Sequence, residues 1–301
     1  MVDETPLVPD TGVPPIPAVP PPLPLPVDPP KPYPGLWQGL WVVVRYILLQ
    51  AVFIVPFAIF DLITKRKSSQ HPAVFAAVTL AAGIVSIRWS CARLGMTFRS
   101  MAGPWPALSI FPPLVLTVVG LLLAELPLVG WIMRRFPSLV PTQDYGLSES
   151  MWGGFVLIVL VAPVIEESLF RGVLLRGFMA RYAVTRGILL SAALFGMSHV
   201  SLVKLIPTLS LGLLFGWLYS QLGSIWPGVF AHAFNNSLVV VTAFTGMKSK
   251  PASAGSQAHT ALTAGAELGV CAVGFVLLAG GVAALRPVIA RSAAVPSEPR
   301  P

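Results

Sequence analysis

The residues of this chain best suited to acid–base chemistry fall where a membrane protein has few of them. The stretch VIEESLFRG, Val164 to Gly172, places Glu166, Glu167 and Arg171 at the end of the uncharged run GGFVLIVLVAP. His199 follows in ALFGMSHVS, and FAHAFNNS places His232 and Asn236 four residues apart. On a helix, Glu167 and Arg171 share a face, and glutamate before arginine is the favourable order for such a pair. Glu166 points about 100° away from Glu167. The spacing therefore predicts that Glu167 and Arg171 neutralise each other and that Glu166 faces something else. Plainer readings stand beside this one. The Glu–Glu–Arg group fits a solvated helix end, and His199 fits a packing histidine buttressed by Phe195 one turn earlier. His232 and Asn236 fit polar glue between membrane helices. Taken together, one carboxylate, two imidazoles and one amide on three segments match the needs of amide hydrolysis. That reaction needs a base to take a proton from water and donors facing the oxygen that turns negative.

The elements that must position these groups are membrane spans. The chain has 301 residues, 55% hydrophobic and 11% charged, with a mean hydropathy of +0.77. A soluble domain is about one quarter charged, so the composition predicts an all-α, polytopic transmembrane bundle. The formal charge is +8, but the basic residues lie between apolar runs, which excludes a case for nucleic-acid binding. Cys91 and Cys271 show no metal-binding or disulfide spacing and read as apolar packing residues.

About eight spans are expected, at 38–60, 72–94, 107–126, 151–170, 187–205, 207–222, 225–246 and 261–285. Arg88 interrupts the second. Pro207 and Gly223 set off a short sixth. The fourth runs on through GVLLRGFMARY as a cytoplasmic or interfacial helix. Pro56, Pro112, Pro113 and Pro163 predict kinks or breaks. Trp37, Trp41, Trp105, Trp131, Trp152 and Trp226 lie near span ends, as interfacial tryptophans do. With eight spans the termini share a side. Eleven basic residues fall on that side and eight on the other, favouring termini inside, although Lys65–Lys67 after the first span argues the reverse. Residues 1–36 hold 14 of the 31 prolines and read as a disordered, extended tail that could recruit a partner. A transmembrane domain over 37–290, with its peptidase core at about 150–245, and a short tail at 291–301 complete the expected organisation.

Three motifs in order carry a resemblance. Glu166-Glu167-Ser-Leu-Phe-Arg171, Phe195-Gly-Met-Ser-His199 and His232-Ala-Phe-Asn-Asn236 resemble the EExxxR, FxxxH and HxxxN/D segments of the CPBP (Abi, type II CAAX endopeptidase) family of intramembrane glutamate proteases. The likeness covers about residues 150–245. It implies that Glu166 activates water, that His199 helps to hold or deprotonate it, and that His232 and Asn236 form the oxyanion site. Glu167 and Arg171 would order the helix around Glu166. It further implies an integral protein of the bacterial inner membrane, acting on a membrane-associated protein or peptide and surrounded by membrane lipid. No cofactor is expected. No HExxH is present, and the alternative is a divalent metal such as zinc on Glu166, His199 and His232. Two other functions compete: a membrane scaffold or bacteriocin-immunity-type protein in which cleavage is incidental, and a proton-coupled transporter built on the buried Glu and His. The absence of an internal repeat argues against the transporter.

Overall fold

The computed structural model describes residues 32–65, 71–139, 151–199, 201–248 and 264–294. The proline-rich segment up to residue 31 and the end beyond residue 294 lie outside the described residues. All regular structure among them is helical. The helices are α1 (Leu36–Thr64), α2 (Pro72–Leu94), a single-turn α3 (Phe98–Ala102) and α4 (Phe111–Arg135). After these come a composite helix α5 (residues 151–181), then α6 (Val184–Ser198), α7 (Leu202–Leu222), α8 (Trp226–Lys248) and α9 (Ala264–Ala294). Each of the eight expected spans has a helix as its counterpart among the described residues, although the expected span 187–205 ends early, at Ser198. Six helices among the described residues are long and apolar enough to cross a membrane. α6 is shorter, and α8 carries the polar FAHAFNNS. The protein is an integral, multi-pass membrane protein.

Local chemistry sets the helix ends. Pro72 opens α2, and the His71 side chain caps it by accepting from the Ala73 N–H at 3.2 Å. Gly95 closes it at φ 63°, a conformation that glycine adopts without cost. Pro112 and Pro113 lie in the first turn of α4, where a missing N–H is harmless, so the expected kink there does not occur. Arg88 does not interrupt α2, which runs through it with the side chain exposed. Pro207 likewise does not delimit its helix. α7 begins at Leu202, where Ser201 accepts from the Lys204 N–H, and Pro207 lies inside its second turn. Of the expected interfacial tryptophans, Trp37, Trp41, Trp105, Trp131 and Trp152 are exposed, and Trp226 packs on Trp105 with ring centroids 4.8 Å apart.

α5 runs through the middle of one core. Leu169, Phe170, Val173, Leu174 and Phe178 are buried against Val42, Val43 and Tyr46 of α1, Ala82, Ile87 and Cys91 of α2, and Leu194 and Phe195 of α6. A second core joins α4, α7, α8 and α9 through residues such as Leu114, Val118, Phe215, Leu218, Ala231 and Leu285. Along α4 and α9, glycines allow the two backbones to touch: a Cβ on Gly120 would strike the Leu278 backbone, and one on Gly274 would strike Ala124. Close approach through small residues is how membrane helices gain packing contact in the absence of a hydrophobic drive.

α5 is not a regular α-helix. Val156–Val161 and Ser168–Leu175 are wound as π-helix around the α-helical turn Ala162–Glu167. Such widened turns are rare and concentrate at functional sites. One cause is Pro163, whose ring cannot fit a regular α turn and which has no N–H to donate.

Candidate active site

The two glutamates lie in the turn between the widened segments, and the protein treats them differently. Glu167 is fully buried (0% exposed) and Arg171 nearly so (1%), while the Glu166 side chain keeps 21% of its surface. Arg171 Nη1 donates to Glu167 Oε1 at 2.9 Å, and its Nη2 donates to the Gly212 carbonyl of α7 at 3.1 Å. The guanidinium also lies over two rings, 4.6 Å from the Phe195 centroid and 5.2 Å from that of Phe215. Removing either partner of such a dry pair leaves an uncompensated charge. One arginine against two carboxylates leaves one negative charge over, on the glutamate that keeps access to a cavity.

His232 of α8 stands between the carboxylates. Its Nδ1 is 3.2 Å from Glu167 Oε1 and its Nε2 is 3.8 Å from Glu166 Oε2. A carboxylate only accepts, so Nδ1 carries the proton. The ring stacks on Phe215 at 5.6 Å and meets the edge of Phe195 at 5.7 Å. Gly228, one turn before His232, makes room for the buried acid, because a Cβ there would lie 2.8 Å from Glu167 Oε2.

His199 differs from expectation. It ends α6 rather than lying inside a helix, and the expected span 187–205 is interrupted there before α7 begins. α6 has 15 residues, a rise of about 22 Å, short of the ~30 Å hydrocarbon core. It gives way at His199 to irregular backbone, which within a hydrocarbon core must be buried in protein or line a wet cavity. Here it borders a cavity of about 190 Å³ lined by Val43, Tyr46, Ile47, Gln50, Thr79, Leu157, Ala162, Glu166, Phe170, Ser198 and His199. His199 Nδ1 lies 2.9 Å from the Phe195 carbonyl. A carbonyl can only accept, so Nδ1 holds the hydrogen and Nε2 of the neutral ring keeps its lone pair. Phe195 supports the ring edge-on at 4.9 Å, as the four-residue spacing predicted. It also touches Arg171 and His232, so one phenyl ring locates three polar groups.

Asn236 is tied to the shape of α5. The Ala162 N–H bonds to Leu157 O, five residues back. In that register Pro163 should donate to Ile158 O and cannot. Asn236 Nδ2 takes its place, donating to Ile158 O at 2.8 Å. Asn235, buried beside it, donates to Asn236 Oδ1 at 3.1 Å and fixes which way the amide faces. Thus Glu166 and His199 share the cavity, whereas His232 and Asn236, expected to face it as the oxyanion pair, do not line it in this structure. Among the described residues no three metal-ligating side chains converge. The conditional zinc set of Glu166, His199 and His232 is not grouped as three converging ligands among the described residues, although each ring keeps its Nε2 free while Nδ1 is turned to a protein partner. The cavity wall formed by Tyr46, Gln50 and Thr79 was not singled out from sequence. The available signal was a polar amide, Gln50, in the first span, one turn after Tyr46.

These features define a class: a polytopic helical membrane protein with a Glu–His cavity between α1, α2, α5 and the end of α6. Residues 148–238 match the family model described as "Type II CAAX prenyl endopeptidase Rce1-like". The chain is also 34% identical over 85 residues to the "Putative membrane peptidase YdiL" of Bacillus subtilis (strain 168), an alignment covering 27% of this chain. The chain thus spans about a third (34%) of the length of that curated relative. No solved structure matches. Over these residues the chain is similar to the CPBP family, the likeness that its three motifs carry.

Proposed function

We propose that the protein is an intramembrane endopeptidase that hydrolyses a peptide bond of a membrane-associated protein or peptide with water activated by Glu166. The observation that carries this reading is the cavity that Glu166 and His199 share, with Glu167 held out of it by Arg171. The Glu166 carboxylate takes a proton from a water molecule, and the free Nε2 of His199 accepts the second hydrogen of that water and orients it. The water oxygen attacks the peptide carbonyl carbon, and the carbonyl oxygen becomes negative. When the C–N bond breaks, Glu166 returns the proton to the leaving nitrogen. One water is consumed, giving a carboxylic acid and an amine. His232 and Asn236 support the site in this arrangement. His232 is bonded to Glu167 and sets its Nε2 3.8 Å from Glu166, and Asn236 keeps the widened turn of α5 that places Glu166. No step is assigned to a metal.

The test compares newly formed protein termini in host cells producing either the wild-type protein or Glu166→Gln at matched levels. Termini that depend on Glu166 are the expected result, and they name the substrate. The same termini in both strains would refute the peptidase reading. A Glu166→Gln protein that still supplied the full cellular phenotype would favour the scaffold.

A further inference from the structure

Arg45 is a cation in a membrane span to which the described residues supply no anion. It lies on α1, one turn past the exposed Trp41. Its Nη2 donates to Ser86 O and Ser90 Oγ of α2, both at a long 3.3 Å. Its Nε and Nη1 are buried and have no hydrogen-bond partner. The guanidinium stacks on Trp89 of α2, 3.6 Å from the ring centroid, and the exposed Arg93 lies over the same ring at 4.9 Å. Two like charges thus share one indole, and among the described residues neither has a carboxylate partner. The acids lie elsewhere: Asp61 is in the last turn of α1, Glu167 pairs with Arg171, and Glu267 pairs with Arg134. The end where α1 begins and α2 stops carries arginines instead, among them the exposed Arg88 and Arg99, and Arg181 against Gly35. A charge at this depth needs a partner. Deeper along the Arg45 face of α1, Leu48 and Val52 are exposed, and Val85 is exposed one turn from Trp89 on α2. Cations at the edge of an apolar, lipid-facing strip fit a charged headgroup above its acyl chains.

We propose that the outer face of the α1–α2 hairpin binds an anionic phospholipid at its arginine-rich end. The phosphate engages the exposed Arg93 directly, and Arg45 through the small side-chain shift that brings Nη1 to it. Trp89 holds the two guanidiniums close together, and Leu48, Val52 and Val85 lie under the acyl chains. Basic pockets between membrane helices take anionic headgroups in this way, and each arginine near the surface is worth about fivefold in affinity. None of these residues lines the cavity of Glu166 and His199, so the proposal stands apart from the peptidase reading.

The test uses the purified full chain in vesicles of phosphatidylcholine and phosphatidylglycerol in equal amounts, with bromine on the acyl chains of one lipid or the other. Bromine quenches tryptophan at contact, and subtracting the signal of the same protein carrying Trp89→Phe isolates Trp89. Phosphatidylglycerol is expected to be favoured at Trp89 by about 30-fold, the product of two arginines. Arg45→Gln and Arg93→Gln should each lower that preference about fivefold, and the double variant should remove it. Arg93→Lys should keep it, because the lipid reads charge. Arg291→Gln, in the last turn of α9, should leave it unchanged, which separates a site from a general field of basic residues. Thermal unfolding of the same samples shows which variants are folded. Equal quenching of wild-type Trp89 by the two brominated lipids overturns the proposal, whatever the variants do. A preference that survives in the folded double variant overturns it as well. Loss of the preference on adding millimolar inorganic phosphate at constant ionic strength would name a soluble phosphate as the occupant and overturn the lipid assignment.

Discussion

Replacing Asn236 with leucine should destabilise the protein, and Pro163→Ala should cancel most of that loss. Asn236 Nδ2 donates to Ile158 O at 2.8 Å because the residue five positions on, Pro163, has no N–H. Without Asn236 a half-buried carbonyl is left unpaired in an apolar span, a cost of about 1–3 kcal/mol. In Pro163→Ala the backbone regains its donor. Whether the turn stays wide or tightens, Ile158 O is paired, by the new N–H at 163 or by that of Ala162. Asn236→Leu in that background should then cost under about 1 kcal/mol. Reversible unfolding of the four purified variants in mixed micelles, followed by tryptophan fluorescence, gives the double-mutant cycle. A coupling of about 1–2 kcal/mol is expected. Effects that add to within about 0.5 kcal/mol would show that Asn236 does not repair the proline break and would refute this explanation of its position.

Arg171→Met and Glu167→Gln should each be costly, on the order of 3–5 kcal/mol for Arg171→Met, because the remaining charge has no solvent; the double variant should recover part of the loss in the same assay. Asn236→Asp should be worse than its size suggests, since a carboxylate faces the Ile158 carbonyl without a hydrogen to give; it should unfold at a lower denaturant concentration than wild type at neutral pH. Gly228→Ala gains about 1 kcal/mol of helix propensity but places a methyl group 2.8 Å from Glu167 Oε2; the collision should win, with a lower melting temperature and slower formation of Glu166-dependent termini. Purified protein should keep its activity after exhaustive chelation; a loss restored by zinc would bring back a metal role for Glu166, His199 and His232.

What sequence revealed and what it hid follow from the range of the interactions concerned. The Glu167–Arg171 pair was legible because it is local: four residues on one helix fix the geometry. The seat of Phe195 against His199 was legible for the same reason. The apolar runs located the eight long helical segments among the described residues, since length and hydropathy are what a bilayer selects. Helix ends were less legible. Hydropathy runs smoothly through ALFGMSHVS, yet α6 stops at Ser198, and Ser201 caps the next helix. A proline marks a break only where its neighbours cannot absorb it. Pro112 sits harmlessly in a first turn, Pro207 is carried within α7, and Pro163 is accommodated by a widened turn and an amide from another helix. Hidden altogether were the contacts between distant segments. Nothing in the spacing of FAHAFNNS says that His232 reaches both acids of α5, or that Asn236 is engaged by a backbone carbonyl. Nor does anything in the three motifs point to Tyr46, Gln50 and Thr79, which reach the cavity from helices more than 80 residues before His199 in the chain.

The central claim is that Glu166 activates a water molecule for attack on a peptide bond. Its most direct measurement uses purified protein reconstituted in lipid vesicles and a synthetic peptide spanning a cleavage site found in cells. The reaction is run in water enriched in heavy oxygen. The account predicts that wild-type product carries heavy oxygen in its new carboxyl group, and that Glu166→Gln lowers the rate about 100- to 10,000-fold, the range of a lost general base. A Glu166→Gln rate within about threefold of wild type would place the chemistry elsewhere and contradict the account.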